Sequence, residues 1–270
     1  MKTKKMKAIL AAGIPVLFTG APGVGKTEKI RACFDHVEIL LLSGESEENI
    51  GGLPYRDGAH DYRTIPAMFR RLSDAAAAGK STALFLDEID KAERSVADTL
   101  LTLVASRQIN GNRLPADCAI IGAANPPEWG GGDGLSVPML NRFAVVEFAP
   151  SPPEWGAWAM ERHRSPRCAK IIQLVLSGTI PLLETVGDGM ETRTTSPRSL
   201  ARVMRAVEAV DDADALELIV RGLLTPNAAG KIIAAIAVED ADVEILEAAK
   251  DHAKQVAVRK NRKTVKPIEV

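Results

Sequence analysis

Along the first 150 residues, short apolar runs alternate with stretches of helical period. The runs are Val16–Thr19, Val37–Leu42, Ala83–Asp87, Ala119–Ala124 and Ala144–Phe148. They show little polar alternation, the pattern of strands buried on both faces of a parallel sheet. One segment breaks the rhythm. "SEENIGGLPYRDGAHDYRTIPAMF" is rich in glycine and proline, holds the only two tyrosines, Tyr55 and Tyr62, and reads as a hairpin-like insertion. At "APSPPEW", Ala149 to Trp155, a proline-rich break reads as a hinge. Beyond it the period is helical. Ser196 is placed as an N-cap with Pro197 at the first helical position, and Leu200, Val203, Met204, Val207 and Val210 fall on one face. "ALELIVRGLL" and "DVEILEAAKDHAKQVAV" continue the helices. The pattern predicts a parallel α/β domain over residues 1–150, then a smaller all-helical domain over residues 151–270.

Composition narrows the class without naming a chemistry. In 270 residues, 46% are hydrophobic and 26% charged, a balance able to bury a real core. Aromatics make up only 4%, so packing rests on Ala, Leu, Ile and Val. A formal net charge of −1 gives no global pull towards nucleic acid or an anionic membrane. Cys33, Cys118 and Cys168 lie far apart in no metal-ligand spacing, which points to free thiols in a reducing, cytoplasmic setting. "MKTKKMK" followed by "AILAAGIPVLF" imitates a secretory signal. Cleavage there would destroy the glycine loop that follows, so Lys7–Gly13 is read as a short helix and Pro15–Thr19 as a strand. No apolar run reaches the ~18 residues that span a bilayer, so no membrane insertion is expected. His36, His60, His163 and His252 are isolated in sequence and read as satisfied surface or core residues, and no Cys–His pairing is visible in the spacing.

The strongest chemical signal is "GAPGVGKT", Gly20 to Thr27. Glycine, four residues, glycine, Lys and Thr, with a strand before and a helix after, is the phosphate-cradling P-loop. Gly20, Gly23 and Gly25 let the backbone curl so that the N–H groups of the nucleotide-binding loop, which includes Ala21, Pro22 and Val24, face the β- and γ-phosphates. Lys26 is expected to neutralise those oxygens, and the Thr27 hydroxyl to complete a Mg²⁺ shell. The bland alternative is a glycine turn that binds nothing. A second strand, "TALFLDEID", ends in Asp87 and Glu88. Asp87 is positioned to hold magnesium through water, and Glu88 to polarise an attacking water; alone, the pair would read equally well as solvated acids. A third strand, "AIIGAANPPE", ends in Asn125, whose amide is suited to bond the attacking water or the γ-phosphate. By itself an Asn before proline is an ordinary turn residue.

P-loop, "LFLDEID", Asn125 and then "MLNRF" occur in the order found in AAA+ ATPases, and the set most resembles the MoxR and dynein-related branch. "DEIDKAERSVADTLLTLVASRQI" is similar to that branch's "DEINRA"-like helix, and "ENIGGLPYRDG…YRTIPAMF" to its insertion in the second helix. The match covers roughly residues 13 to 210. It implies a P-loop NTPase αβα sandwich with a parallel sheet, followed by a smaller all-helical lid domain. Gly20, Pro22, Gly23, Gly25, Lys26 and Thr27 then correspond to the Walker A loop, and Asp87 and Glu88 to Walker B. Asn125 corresponds to sensor 1, Arg142 to the arginine finger reaching a neighbouring subunit, and Arg198 in "SPRSL" to sensor 2 of the lid. Asp90 departs from the family, which usually has Asn there, and residues 107–117 are shorter than many relatives' hairpin.

The two arginines keep simpler readings. Arg142 could pair with a surface acid. Arg198 begins a helix, where a cation is electrostatically unfavourable unless a phosphate, or Glu191 or Asp188, is nearby. The resemblance implies Mg·ATP hydrolysis between subunits of a hexameric ring, with lid motion remodelling a separate protein partner. The alternative is a nucleic-acid-stimulated motor or loader. It rests on the basic run "VAVRKNRKTVK", with Arg259, Lys260, Arg262, Lys263 and Lys266, which reads equally as a solvated tail. The insertion from Gly51 to Tyr62 is the candidate client-touching element, although Tyr55 and Tyr62 are expected to pack it onto its own domain.

Overall fold

All five apolar runs pair edge to edge in one sheet, the three inner ones buried on both faces and the two outer ones partly exposed. The computed structural model describes residues 8–10, 12–129 and 134–237. The strands are β1 (Val16–Thr19), β2 (His36–Leu41), β5 (Thr82–Asp87), β8 (Ala119–Ala124) and β9 (Ala144–Glu147). Their order is β2-β5-β8-β1-β9 and every pairing is parallel. Helices flank the sheet: α1 (Lys26–Arg31), α2 (Glu47–Gly51), α3 (Ala67–Ala77), α4 (Arg94–Ser106) and the short α5 (Val137–Leu140). Two apolar sets, one from strands and one from helices, meet in the core. Leu17, Leu84, Leu86 and Ile120 pack with Leu72, Val96, Leu100 and Leu103.

Two small antiparallel ribbons decorate this unit. β3 (Pro54–Asp57) and β4 (His60–Arg63) form the expected hairpin, with Tyr55 opposite Tyr62. The tyrosines do not pack it onto its own domain. They stack on each other at 5.5 Å and remain 50% and 46% exposed, and all eight strand residues are exposed. The short stretch before β8 also forms a hairpin, β6 (Gln108–Ile109) and β7 (Asn112–Arg113). Its turn is Asn110–Gly111, both at positive φ, the pair that a tight primed turn selects.

The chain parts into two compact units between Ala149 and Pro150. The second contains α6 (Pro152–Arg162), α7 (Pro166–Leu176), α8 (Pro197–Ala209), α9 (Ala213–Leu223) and α10 (Pro226–Ala237). It is helical apart from a ribbon of β10 (Glu184–Val186) and β11 (Arg193–Thr195). Most of the proline-rich segment read as a hinge is the first turn of α6. Ser151 accepts from the Glu154 N–H, and Pro152 and Pro153 fill positions that need no N–H donor. Ser196 caps α8 as expected, in a reciprocal box with Ser199. Leu200, Val203, Met204 and Val207 are buried, with Val210 packed beside them.

None of the three cysteines is in a disulfide, and all are buried. Among the described residues, no helix is long and apolar enough to cross a membrane. Ala8, Ile9 and Leu10 are helical. Lys7 and Ala11 of the expected first helix, the helix expected over residues 242–258 and the basic C-terminal run lie outside the described residues.

Candidate functional site

The P-loop, Asp87–Glu88 and Asn125 leave the sheet at the carboxyl ends of β1, β5 and β8, which lie side by side. In open α/β sheets, ligands bind outside that edge. Register explains the convergence: Leu86 and Leu17 both pair with Gly122, so the residues that follow each emerge at nearly one level.

The glycines of the loop divide their tasks. Gly23 and Gly25 have φ of 76° and 96°, left-handed values that let the chain curl back before α1. Gly25 is the N-cap of α1 and contributes no side-chain cap to the N–H groups of the first turn. Gly20 serves packing. A Cβ there would run into the Phe148 carbonyl oxygen, and the Gly20 N–H donates to Ala124 O at 3.3 Å. Ala21 and Val24 anchor the loop in the core, while Pro22 is exposed.

Lys26 is buried, and its ammonium donates to Gly20 O at 2.6 Å, Ala21 O at 3.3 Å and Asn125 Oδ1 at 2.8 Å. A cation held by three oxygens inside a glycine loop is a preset counter-charge for an anion. The Thr27 hydroxyl donates to Asp87 Oδ2 at 3.1 Å, which brings the P-loop and the β5 terminus into direct contact. Hydroxyl and carboxylate are hard oxygen donors, the chemistry that Mg²⁺ takes from protein. Asp87 also uses Oδ1 to accept the Glu88 N–H at 3.1 Å. Glu88 has φ 54°, an uncommon value for a residue with a side chain. Its carboxylate lies 3.5 Å from Lys91 Nζ.

Asn125 is gripped at two points. Its amide oxygen takes Lys26, and its backbone N–H donates to Asp90 Oδ1 at 3.1 Å. Asp90, which departs from the resembled family's Asn, is buried and ties the turn after β5 to the end of β8. That contact is not legible in the sequence, since the partners are 35 residues apart.

Arg142 does not join this cluster within one chain. Its one hydrogen bond among the described residues runs from Nη1 to Pro138 O at 2.6 Å, and its buried Nε has no partner. No acid among the described residues pairs with it. Arg198 belongs to the second unit, is exposed at the start of α8, and has no hydrogen bond or ion pair among the described residues; neither Glu191 nor Asp188 engages it.

Sequence reasoning missed one cluster altogether. In the second unit His163, Cys168 and Glu208 converge, with His163 Nδ1 2.8 Å from Glu208 Oε2. Helical periodicity places each on its own helix but does not say which helices meet.

Among curated proteins, none matches the sequence. Among solved structures, a single-residue variant of Thermotoga maritima RuvB aligns at 17% identity and TM-score 0.46, covering 86% of this chain and 67% of that one. The Thermotoga maritima RuvB Holliday junction branch migration motor aligns at 17% identity and TM-score 0.43, covering 86% and 67%. By sequence, residues 15–143 match the AAA domain of the dynein-related subfamily, a span that takes in every P-loop, β5 and β8 residue described above.

Proposed function

We propose that the protein is an AAA+ ATPase that hydrolyses Mg·ATP at a site shared between subunits of a ring, and that it remodels or assembles a protein partner in the manner of a MoxR-like chaperone. The observation that carries this reading is the convergence of Lys26 on Asn125 and of Thr27 on Asp87 at one edge of the sheet. Bound Mg·ATP supplies a phosphoanhydride and a metal that spreads charge off its phosphates. Gly23 to Thr27 hold and orient the phosphates, and Thr27 with Asp87 provides hard oxygens for the metal. Glu88, beside Asp87 and presented by its left-handed backbone, takes the proton of the attacking water. Asn125 fixes that water's direction. Lys26 is already stationed where negative charge accumulates, so little reorganisation accompanies the reaction.

Arg142 supports the shared site. It has no acidic partner among the described residues, which leaves its guanidinium to be offered to a neighbour. A guanidinium supplied in trans to a transferring phosphoryl group is worth about 10³–10⁵ in rate. In this reading Arg198 senses nucleotide from the lid formed by residues 151–270. The exposed Tyr55–Tyr62 hairpin offers a client surface.

The test is ATP turnover per subunit against protein concentration, repeated with Arg142→Ala chains mixed into wild type. We expect turnover to rise with concentration, and the variant to depress it by more than its share of the mixture. Turnover independent of both would overturn the shared site.

A further inference from the structure

We propose that His163, Cys168 and Glu208 form a binding site for a thiophilic divalent cation of the Zn²⁺ class, which pins three helices of the second unit together. One nitrogen, one sulfur and one carboxylate oxygen, one from each residue, lie within 4.8 Å of one another. The three come from separate elements: His163 closes α6, Cys168 sits in the first turns of α7, and Glu208 lies in the last turn of α8. An ion held by all three would therefore act as a cross-link.

The donor set selects the metal. Thiolate with imidazole suits zinc and its neighbours, whereas Mg²⁺ and Ca²⁺ take oxygen alone. Charge agrees with this choice. A thiolate and a carboxylate together carry two negative charges, which a divalent ion cancels in a site where Cys168 is fully buried and His163 nearly so. Without an ion the same groups satisfy one another in part: His163 bonds Glu208, and the Cys168 thiol donates to Met204 O at 3.5 Å. Burial, with the Glu208 carboxylate beside it, pushes the Cys168 thiol up to about 12, so binding must expel that proton to solvent.

Geometry permits the exchange. Bonds of about 2.0–2.3 Å in a tetrahedral shell set neighbouring ligand atoms about 3.3–3.6 Å apart. The 2.8 Å His163–Glu208 separation then has to open by roughly half an ångström. Glu208 is the partner able to move, since its side chain is 32% exposed and gives the ion a route in from solvent. Against the cost of burial, His163 and the backbone of Arg164 and Ser165 favour the charged form of its carboxylate. A fourth position is left for water or for the second Glu208 oxygen.

The experiment titrates Co²⁺, then Zn²⁺ in competition, into the full chain without nucleotide or Mg²⁺. The readouts are thiolate-to-cobalt charge-transfer absorption, tetrahedral visible bands, and fluorescence of Trp158, whose ring lies 6.4 Å from that of His163. We expect one equivalent bound, displaced by Zn²⁺, with the melting temperature raised. The thiolate band should vanish in Cys168→Ser and survive in a Cys33→Ser/Cys118→Ser double variant. Cobalt held by Thr27 and Asp87 would give no such band. Should Cys168→Ser not fold, Glu208→Gln, altered at the partly exposed ligand, decides. Losing an outer-shell partner costs about 10–100-fold in affinity, so losing this ligand should cost at least as much. No thiolate band in the wild type, a band that survives Cys168→Ser, or undiminished affinity in Glu208→Gln would each overturn the site.

Discussion

The Oδ1 atom of Asp90 accepts the backbone N–H of Asn125 at 3.1 Å, so the turn that follows β5 holds the end of β8. Through Asn125, whose own amide oxygen takes Lys26, that single buried carboxylate reaches the P-loop. Asp87–Glu88, Asn125 and Lys26 are thereby set as one unit, and Asp90 is the positioning residue behind them.

Removing the acceptor should loosen all three elements. Asp90→Ala leaves a half-buried N–H without its partner, which costs about 1–3 kcal/mol. It also frees Asn125 to drift, and misplacement by an ångström can cost about 10² in rate. Asp90→Asn keeps a carbonyl oxygen in place and should retain most stability and turnover. Denaturant melts and ATP turnover on the two variants check this. Equal losses in both would show that the charge of Asp90, rather than its acceptor oxygen, is what matters.

A second expectation concerns acid. Arg71 on α3 grips Glu38 on β2 with two hydrogen bonds, Nε to Oε1 at 2.8 Å and Nη2 to Oε2 at 2.6 Å. The Arg71 hydrogen bond outweighs burial and holds the Glu38 carboxyl below its ordinary value of 4.5, with His36 adding to the effect. A carboxyl depressed in the folded state contributes stability that is fully present above its unfolded value. That contribution is lost as pH falls from 4.5 through the lower folded value. In Arg71→Met that depression is removed, so the melting temperature should be lower than wild type near neutral pH and fall less as pH drops below 4.5. Unchanged limbs would mean that the pair does not couple α3 to the sheet.

Much of the first unit was legible because strands buried on both faces read as continuous apolar runs. β1 and β8 lie where the sequence placed them, while β2 and β5 each begin one residue early, at His36 and Thr82, polar residues that pair with each other. The P-loop, acid pair and strand-end Asn were readable because their spacing is local to each strand end. What joins them is not local. Lys26 and Asn125 are 99 residues apart, and only the β1–β8 pairing brings them together. "APSPPEW" marks the division between the two units, and its two later prolines, after a capping serine, also begin a helix. His163 looked solitary because its partners arrive on two other helices.

The β3–β4 hairpin should depend on its base and not on its face. Gly52 has φ 86° and ψ 148°, a region essentially reserved for glycine, and a Cβ there would run into the Thr64 carbonyl oxygen. Thr64 closes the base twice, with its hydroxyl accepting the Leu53 N–H and its own N–H donating to Leu53 O, both at 2.9 Å. Arg63 adds a hydrogen bond to Gly52 O at 3.0 Å. The tyrosines above stack on each other, with the His60 ring edge-on to Tyr62, and stay half-exposed, so a Tyr55→Ala/Tyr62→Ala double variant forfeits little beyond that stacking, about 0.5–1.5 kcal/mol. Gly52→Ala forces a strained backbone, worth about 1–3 kcal/mol, and adds a collision on top. Denaturant melts should therefore rank Gly52→Ala as clearly the less stable, with the double variant close to wild type. The reverse order would mean that the tyrosine pair anchors the hairpin, and would withdraw it as a free surface for a client.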